Sequence, residues 1–259
     1  NEALNDRAES DEFRGTTKID YYYSEKTGIR LNAAYRLSDY LSTGYNSVRS
    51  YTIGGGLLYR YSQKLTFSAT YGFRPEEATN LGAGAVSDPS SNNHRFAVSA
   101  EGELAPKLSG NVSVGMVYRD FDLGGDTSTI LVNTIVSWTV DEKNSVSLNA
   151  ANDFDTTPGA ESAENRSIGL SSRHSLSSKL SVGLSISNQN SQLQQRLTPG
   201  NTNPAKRTDK SNTFGVNASF RANDQLNLKA SLSWRDNESD LARAVYQRNT
   251  ATVSATYSF

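Results

Sequence analysis

The last fifteen residues, Val245 to Phe259 (VYQRNTATVSATYSF), constrain this chain more than any other stretch. Counting back from the end, Phe259, Tyr257, Ala255, Val253 and Ala251 fall on one side. Ser258, Thr256, Ser254, Thr252 and Thr250 fall on the other. A period of two is a strand with one apolar and one polar face. Read as the final element, such a strand needs an earlier partner, and a closed barrel pairs it with the first strand.

The same alternation fills the chain from Thr16 onward. Ile19, Tyr21 and Tyr23 share a face, as do Ile29, Leu31, Ala33, Tyr35 and Leu37, and Leu65, Phe67, Ala69, Tyr71 and Phe73. A weaker strand is expected over Leu41 to Ser47. Gly54-Gly55-Gly56 reads as a bulge or bend rather than a phosphate loop, because no helix pattern follows it. Short connections such as Ser62-Gln63-Lys64 and Asp141 to Asn144 alternate with long ones at 74–93, 119–127, 155–165, 188–211 and 236–244. Sorting of loops by length is the pattern of membrane barrels, with short periplasmic turns and longer extracellular loops. The expected fold is therefore all-β: a transmembrane antiparallel up-and-down β-barrel of about 14 strands over residues 16–259, with 12 or 16 also compatible. An even count places both termini in the periplasm. Residues 1–15 (NEALNDRAESDEFRG) are charged and aperiodic, and read as a periplasmic tail or docking peptide.

Composition agrees. Only 36% of residues are hydrophobic, and no apolar run approaches the roughly 18 residues of a membrane helix. Yet 13 Tyr, 9 Phe and 2 Trp argue against disorder. A barrel reconciles the two, since alternate strand residues face a polar lumen. The formal net charge of −1 gives no field for nucleic acid, and the absence of Cys excludes disulfides and thiolate chemistry. No export signal is visible, so a mature chain is expected. Tyr71, Phe73, Phe96, Tyr118, Phe154, Phe214 and Trp234 adjoin long loops. Tyr40, Tyr59, Tyr61, Trp138, Phe220, Tyr257 and Phe259 adjoin short turns or the terminus. Two aromatic girdles are expected from this sorting.

With the lipid face fixed, the lumen face follows. It is expected to carry Lys18, Arg30, Arg36, Arg60, Arg74, Arg95, Arg119, Arg173, Lys229, Arg235 and Arg248, against the acids Asp20, Glu101, Glu103 and Asp153. Other acids, including Glu76, Glu77, Asp120, Asp155, Glu164, Asp236 and Glu238, are assigned to loops. Such a wall either forms structural ion pairs or selects anions. Catalysis has little support. The two histidines, His94 and His174, fall near opposite barrel ends, and Asp120-Phe-Asp122 and Asp153-Phe-Asp155 lack a calcium-loop spacing. No enzyme activity, metal or cofactor is expected.

The final aromatic and the alternation before it resemble the terminal strand by which bacterial outer-membrane barrels are recognised for insertion. That likeness makes Tyr257 and Phe259 an insertion signal and the barrel-assembly machinery a partner, beside outer-membrane lipid. Three segments, YSQKLTFSATYGFRPEE at 61–77, ELAPKLSGNVSVGMVYRDFD at 103–122 and RANDQLNLKASLSWRDNESD at 221–240, share a turn, a Leu-led alternation, an aromatic-Arg step and an acidic stretch. This resembles the β-barrel porins found with exopolysaccharide export systems of the Gram-negative cell envelope. A second resemblance, to 14-stranded barrels that move lipoproteins to the surface, rests on strand count. With the cationic wall beside this resemblance, the expected function is a porin-like channel for anionic small solutes or acidic sugar chains. The alternative is a structural barrel that anchors or assists an export or assembly complex through residues 1–15, with little open pore.

Overall fold

The computed structural model describes residues 10–40, 47–79, 90–121, 126–156, 162–194 and 206–257. They form one antiparallel sheet of thirteen strands in chain order. These are β1 (Ser10–Tyr22), β2 (Thr27–Tyr40), β3 (Ser47–Arg60), β4 (Leu65–Thr79), β5 (Ser91–Ala105), β6 (Leu108–Phe121) and β7 (Thr127–Thr139), then β8 (Asn144–Thr156), β9 (Ser162–Ser175), β10 (Leu180–Gln194), β11 (Lys206–Arg221), β12 (Leu226–Ser239) and β13 (Tyr246–Tyr257). A 3₁₀ turn, Ala242–Ala244, lies between the last two strands. Each strand pairs with its sequence neighbour, so the topology is up-and-down throughout.

Among the described residues the count is thirteen rather than the expected fourteen. Ser38 pairs with Val48, so β2 and β3 are direct neighbours; Ser47 opens β3, and residues 41–46 lie outside the described residues. With an odd count the two ends of the sheet fall on opposite rims. Ser10 pairs with Tyr40 at the long-connection rim, and Tyr257 pairs with Leu226 at the short-turn rim. The shared rim expected from an even count is therefore corrected, and Tyr40 belongs with the long connections. β1 also begins at Ser10, ahead of the expected Thr16, because Phe13 keeps the apolar phase and pairs with Leu37. The pairings of the described residues run from β1–β2 to β12–β13, and none joins β13 to β1.

Strands run 12 to 16 residues, longer than the roughly 9–11 that cross a bilayer. The surplus is polar and lies toward the long connections. Short turns are tied down locally. At one of them the Asp141 carboxylate accepts hydrogen bonds from the backbone N–H of Lys143 and of Asn144, each at 2.8 Å. Together with the Asn144 side-chain amide, these donors hold the Asp141 carboxyl below the usual carboxylate range. Gly54 to Gly56 keeps an unbroken register with β2, so the run makes no bulge. A Cβ on Gly56 would sit 2.3 Å from the Ala69 carbonyl, so this glycine serves close backbone approach. The recorded register shift lies instead between Glu103 and Ala105, beside Lys107 at φ 65°.

One face is apolar and exposed. The register links Leu31, Gly55, Tyr71, Phe96, Met116 and Ile130 across six strands. A soluble domain would bury such a row, whereas a membrane barrel turns it to lipid. The other face is concave. Lys18 of β1 reaches Glu101 of β5 at 3.9 Å, though four strand spacings span roughly 19 Å along the sheet. Only strong curvature toward this face lets the two side chains meet.

Candidate functional site

All eleven cations expected in the lumen share the concave face by register, and they divide into two groups. In β1 to β6 nearly every one meets a carboxylate. Arg30 grips Asp20 through two bonds, Nε to Oδ1 at 2.8 Å and Nη2 to Oδ2 at 2.9 Å, and lies 3.6 Å from Glu101. Lys18 shares both acids. Arg36 pairs with Glu12 at 3.1 Å and Arg95 with Asp153 at 2.7 Å. Among the described residues Arg60 meets no acid. Its guanidinium lies 4.0 Å from the Tyr22 ring centroid and donates to the Glu25 carbonyl.

The densest knot surrounds Glu76. One carboxylate oxygen accepts from Arg74 at 2.7 Å and the other from Arg119 at 2.5 Å. Arg119 has no exposed side-chain surface, and its Nε donates to Asn93 Oδ1 at 2.7 Å. Asn93 Nδ2 in turn donates to the Arg74 carbonyl. The Phe121 and Phe154 rings stand 5.6 and 5.7 Å from the Arg119 guanidinium. Glu76 is thus no loop acid: β4 extends to Thr79 and carries it inside. Glu77, Asp120, Asp155, Glu164, Asp236 and Glu238 likewise belong to strands, while Asp122 lies outside the described residues.

Phe154 is a second correction. The pairing of β7 with β8 stops at Val132 and Asn152. Beyond that point Phe154 is buried against Val117 and Leu131 rather than standing in the outer girdle. Beneath this cluster lies a cavity of about 600 Å³, lined by Ala97 and Leu131 as well as by Lys18, Arg30, Arg95 and Asp153.

The second group behaves differently. Arg173 donates to Ser181 Oγ at 2.9 Å and Arg235 to Ser211 Oγ at 2.7 Å. Among the described residues, neither these two nor Lys229 and Arg248 lies within 4 Å of a carboxylate. Arg235 and Arg248 face each other directly across β12 and β13. Like charges placed so destabilise a sheet. The fold therefore supplies no reason for them.

The histidines are far from this face. His94 Nδ1 meets the Tyr71 hydroxyl at 2.8 Å among Phe73, Phe96 and Tyr118 on the apolar side. His174 meets Asn144 beside a short turn. Tyr257 donates its hydroxyl to Gln225 Oε1 at 2.8 Å, which fixes the end of β13 to the β11–β12 turn. Phe259 lies outside the described residues.

A family described as Putative beta-barrel porin 2 matches residues 83–259, from before β5 through the last strand. The chain belongs to this porin family. Two solved structures of the FrpB iron transporter from Neisseria meningitidis are similar in fold. The F3-3 variant is 14% identical at a TM-score of 0.60 over 97% of this chain and 49% of its own. The F5-1 apoprotein is 13% identical at 0.61 over 98% and 50%. The unliganded ferric citrate transporter FecA is 12% identical at 0.52 over 96% and 47%. The porin chain thus spans about half the length of these structures. No curated protein matches its sequence.

Proposed function

We infer that this porin chain forms an outer-membrane channel that favours anionic small solutes or acidic sugar chains. The observation that carries the reading is a set of four cations, Arg173, Lys229, Arg235 and Arg248, on the concave face of β9 to β13 that meet no carboxylate among the described residues. Cations without a counter-ion among the described residues, two of them set directly opposite each other at a cost to the sheet, suit a ligand or an ion stream. Reversal potentials across a salt gradient in a planar bilayer test it. Chloride should be preferred over potassium, and a cation-selective channel would overturn the reading. Absence of conductance would favour the second reading, a structural barrel that anchors an envelope or exopolysaccharide export complex. That alternative is supported by the Glu76 knot and the ion pairs crowding β1 to β8.

The long connections face the cell exterior in this proposal, and the short turns face the periplasm. The chain has no cysteine, so single introduced cysteines report cleanly. On intact cells a cysteine at position 201 should label with an impermeant maleimide and one at 142 should not; the reverse pattern would invert the orientation. Assembly by the barrel-assembly machinery is proposed to use Tyr257 and Phe259. Tyr257→Ser with Phe259 deleted should lower the heat-modifiable barrel recovered from outer membranes several-fold, and undiminished recovery would refute the role.

A further inference from the structure

On the apolar face, at the long-connection rim of β9 to β12, three successive rows change character. The innermost row joins Ile186, Phe214 and Trp234, with the two rings 5.5 Å apart between centroids. The next joins Asn188, Asn212, Asp236 and Gln247. Asn188 Nδ2 already donates to Asn212 Oδ1 at 2.8 Å, so the amides are aligned along the row. The outermost joins Arg166, Asn190, Lys210 and Glu238. Rows on one face are two residues apart, so the whole gradient from apolar through amide to charged covers about 13 Å. A groove of about 550 Å³ spans the first two rows.

We propose that this groove holds the phosphorylated sugar headgroup of an outer-leaflet glycolipid. Each row matches one part of such a molecule. Acyl chains lie along Ile186 and Phe214. A pyranose ring sets its C–H face on Trp234 while Asn212 and Asp236 bond its hydroxyls. Phosphate meets Arg166 and Lys210. Arg166 also contacts Glu164 at 2.9 Å, and Glu238 stands opposite Lys210, so the phosphate completes a row of mixed charge rather than entering a bare cationic one. The occupant is a lipid and not a free sugar because the aromatic row continues into the face turned to the membrane. This rests on the outer-membrane reading but not on conduction, so a channel that fails to select anions leaves it intact.

The chain contains two tryptophans, Trp138 and Trp234, on opposite rims of the sheet. In the Trp138→Phe protein, Trp234 is the sole reporter. Titrating that protein in detergent micelles with bisphosphorylated lipid A should give a saturable blue shift of emission. Asn188→Leu with Asn212→Leu, or Lys210→Glu, should weaken the apparent affinity at least tenfold while the heat-modifiable barrel is retained. Phosphatidylglycerol, anionic but sugar-free, should give no saturable change, and neither should a deacylated glucosamine disaccharide phosphate. An identical titration with phosphatidylglycerol would overturn the proposal, as would saturation by the deacylated sugar or indifference to the asparagine changes. If Trp138→Phe does not fold, native mass spectrometry of the wild-type protein decides: retained lipid A supports the site, and equal retention of both lipids refutes it.

Discussion

Glu76→Ala is expected to destabilise the folded protein by about 3–5 kcal/mol, the range for removing one partner of a buried ion pair. Glu76 is 5% exposed and Arg119 is fully buried, so water cannot replace the lost carboxylate. Arg119 would keep its bond to Asn93 and its two flanking rings, and Arg74 would lose its 2.7 Å partner. Two guanidinium groups would then each have lost the carboxylate they share in a low-dielectric pocket. The double variant Glu76→Ala with Arg119→Met removes both charges and fills the site with an apolar chain, and should recover a large part of the loss. Glu77→Ala is the internal control. It lies next in sequence but on the opposite face, where its pair with Arg49 is half-exposed, and should change stability little. Guanidinium unfolding of protein reconstituted in vesicles measures all three. A Glu76→Ala protein as stable as Glu77→Ala would show that the knot does not hold β4, β5 and β6 together.

Faces were the legible part of this fold. A period of two needs no partner to be recognised, so every cation expected on the polar face lies there. Short turns were legible too, because Ser62-Gln63-Lys64 and Asp141 to Asn144 interrupt the alternation with local capping groups. Strand ends toward the long connections were not. There the apolar phase fades into polar residues on both faces, as from Arg74 to Thr79, and continuation depends on pairing with a neighbour. That is why Glu76 looked like a loop acid. Tyr40 was assigned to the wrong rim for a related reason: the polar segment after it mimics a weak strand, and only the Ser38–Val48 pairing removes it. Phe154 could not be read at all from alternation. Its burial follows from the separation of β7 and β8, a tertiary event without a local signal. The division of the cations into paired and unpaired sets was equally hidden, since Arg95 and Asp153 meet across three strand spacings.

That division changes which residues should control selectivity. In Arg30–Asp20 or Arg95–Asp153 each positive charge sits within 3 Å of a negative one, and the pair's field falls off quickly. Among the described residues Arg173 and Lys229 have no such neighbour. The register carries the Arg173 position through Gly183 and Asn217 to Ser231, two residues from Lys229. The two cations thus occupy adjacent rows, about 7 Å apart along the strands and three strand spacings, about 14 Å, apart across them. Both act within a Debye length of about 8 Å at physiological salt. Arg173→Glu with Lys229→Glu replaces two positive charges by two negative ones on a stretch of inner face where Arg221, one row nearer the short turns, is also cationic. The chloride preference expected of the wild-type channel should fall several-fold or reverse, and the change should be larger at 0.1 M than near 1 M salt, on the order of the change in screening length. Lys18→Gln, whose charge is shared between Asp20 and Glu101, should shift the reversal potential far less. If Lys18→Gln moved selectivity more than the double reversal on β9 and β12, the ion path would run along the paired half of the sheet, and the unpaired cations would need another explanation.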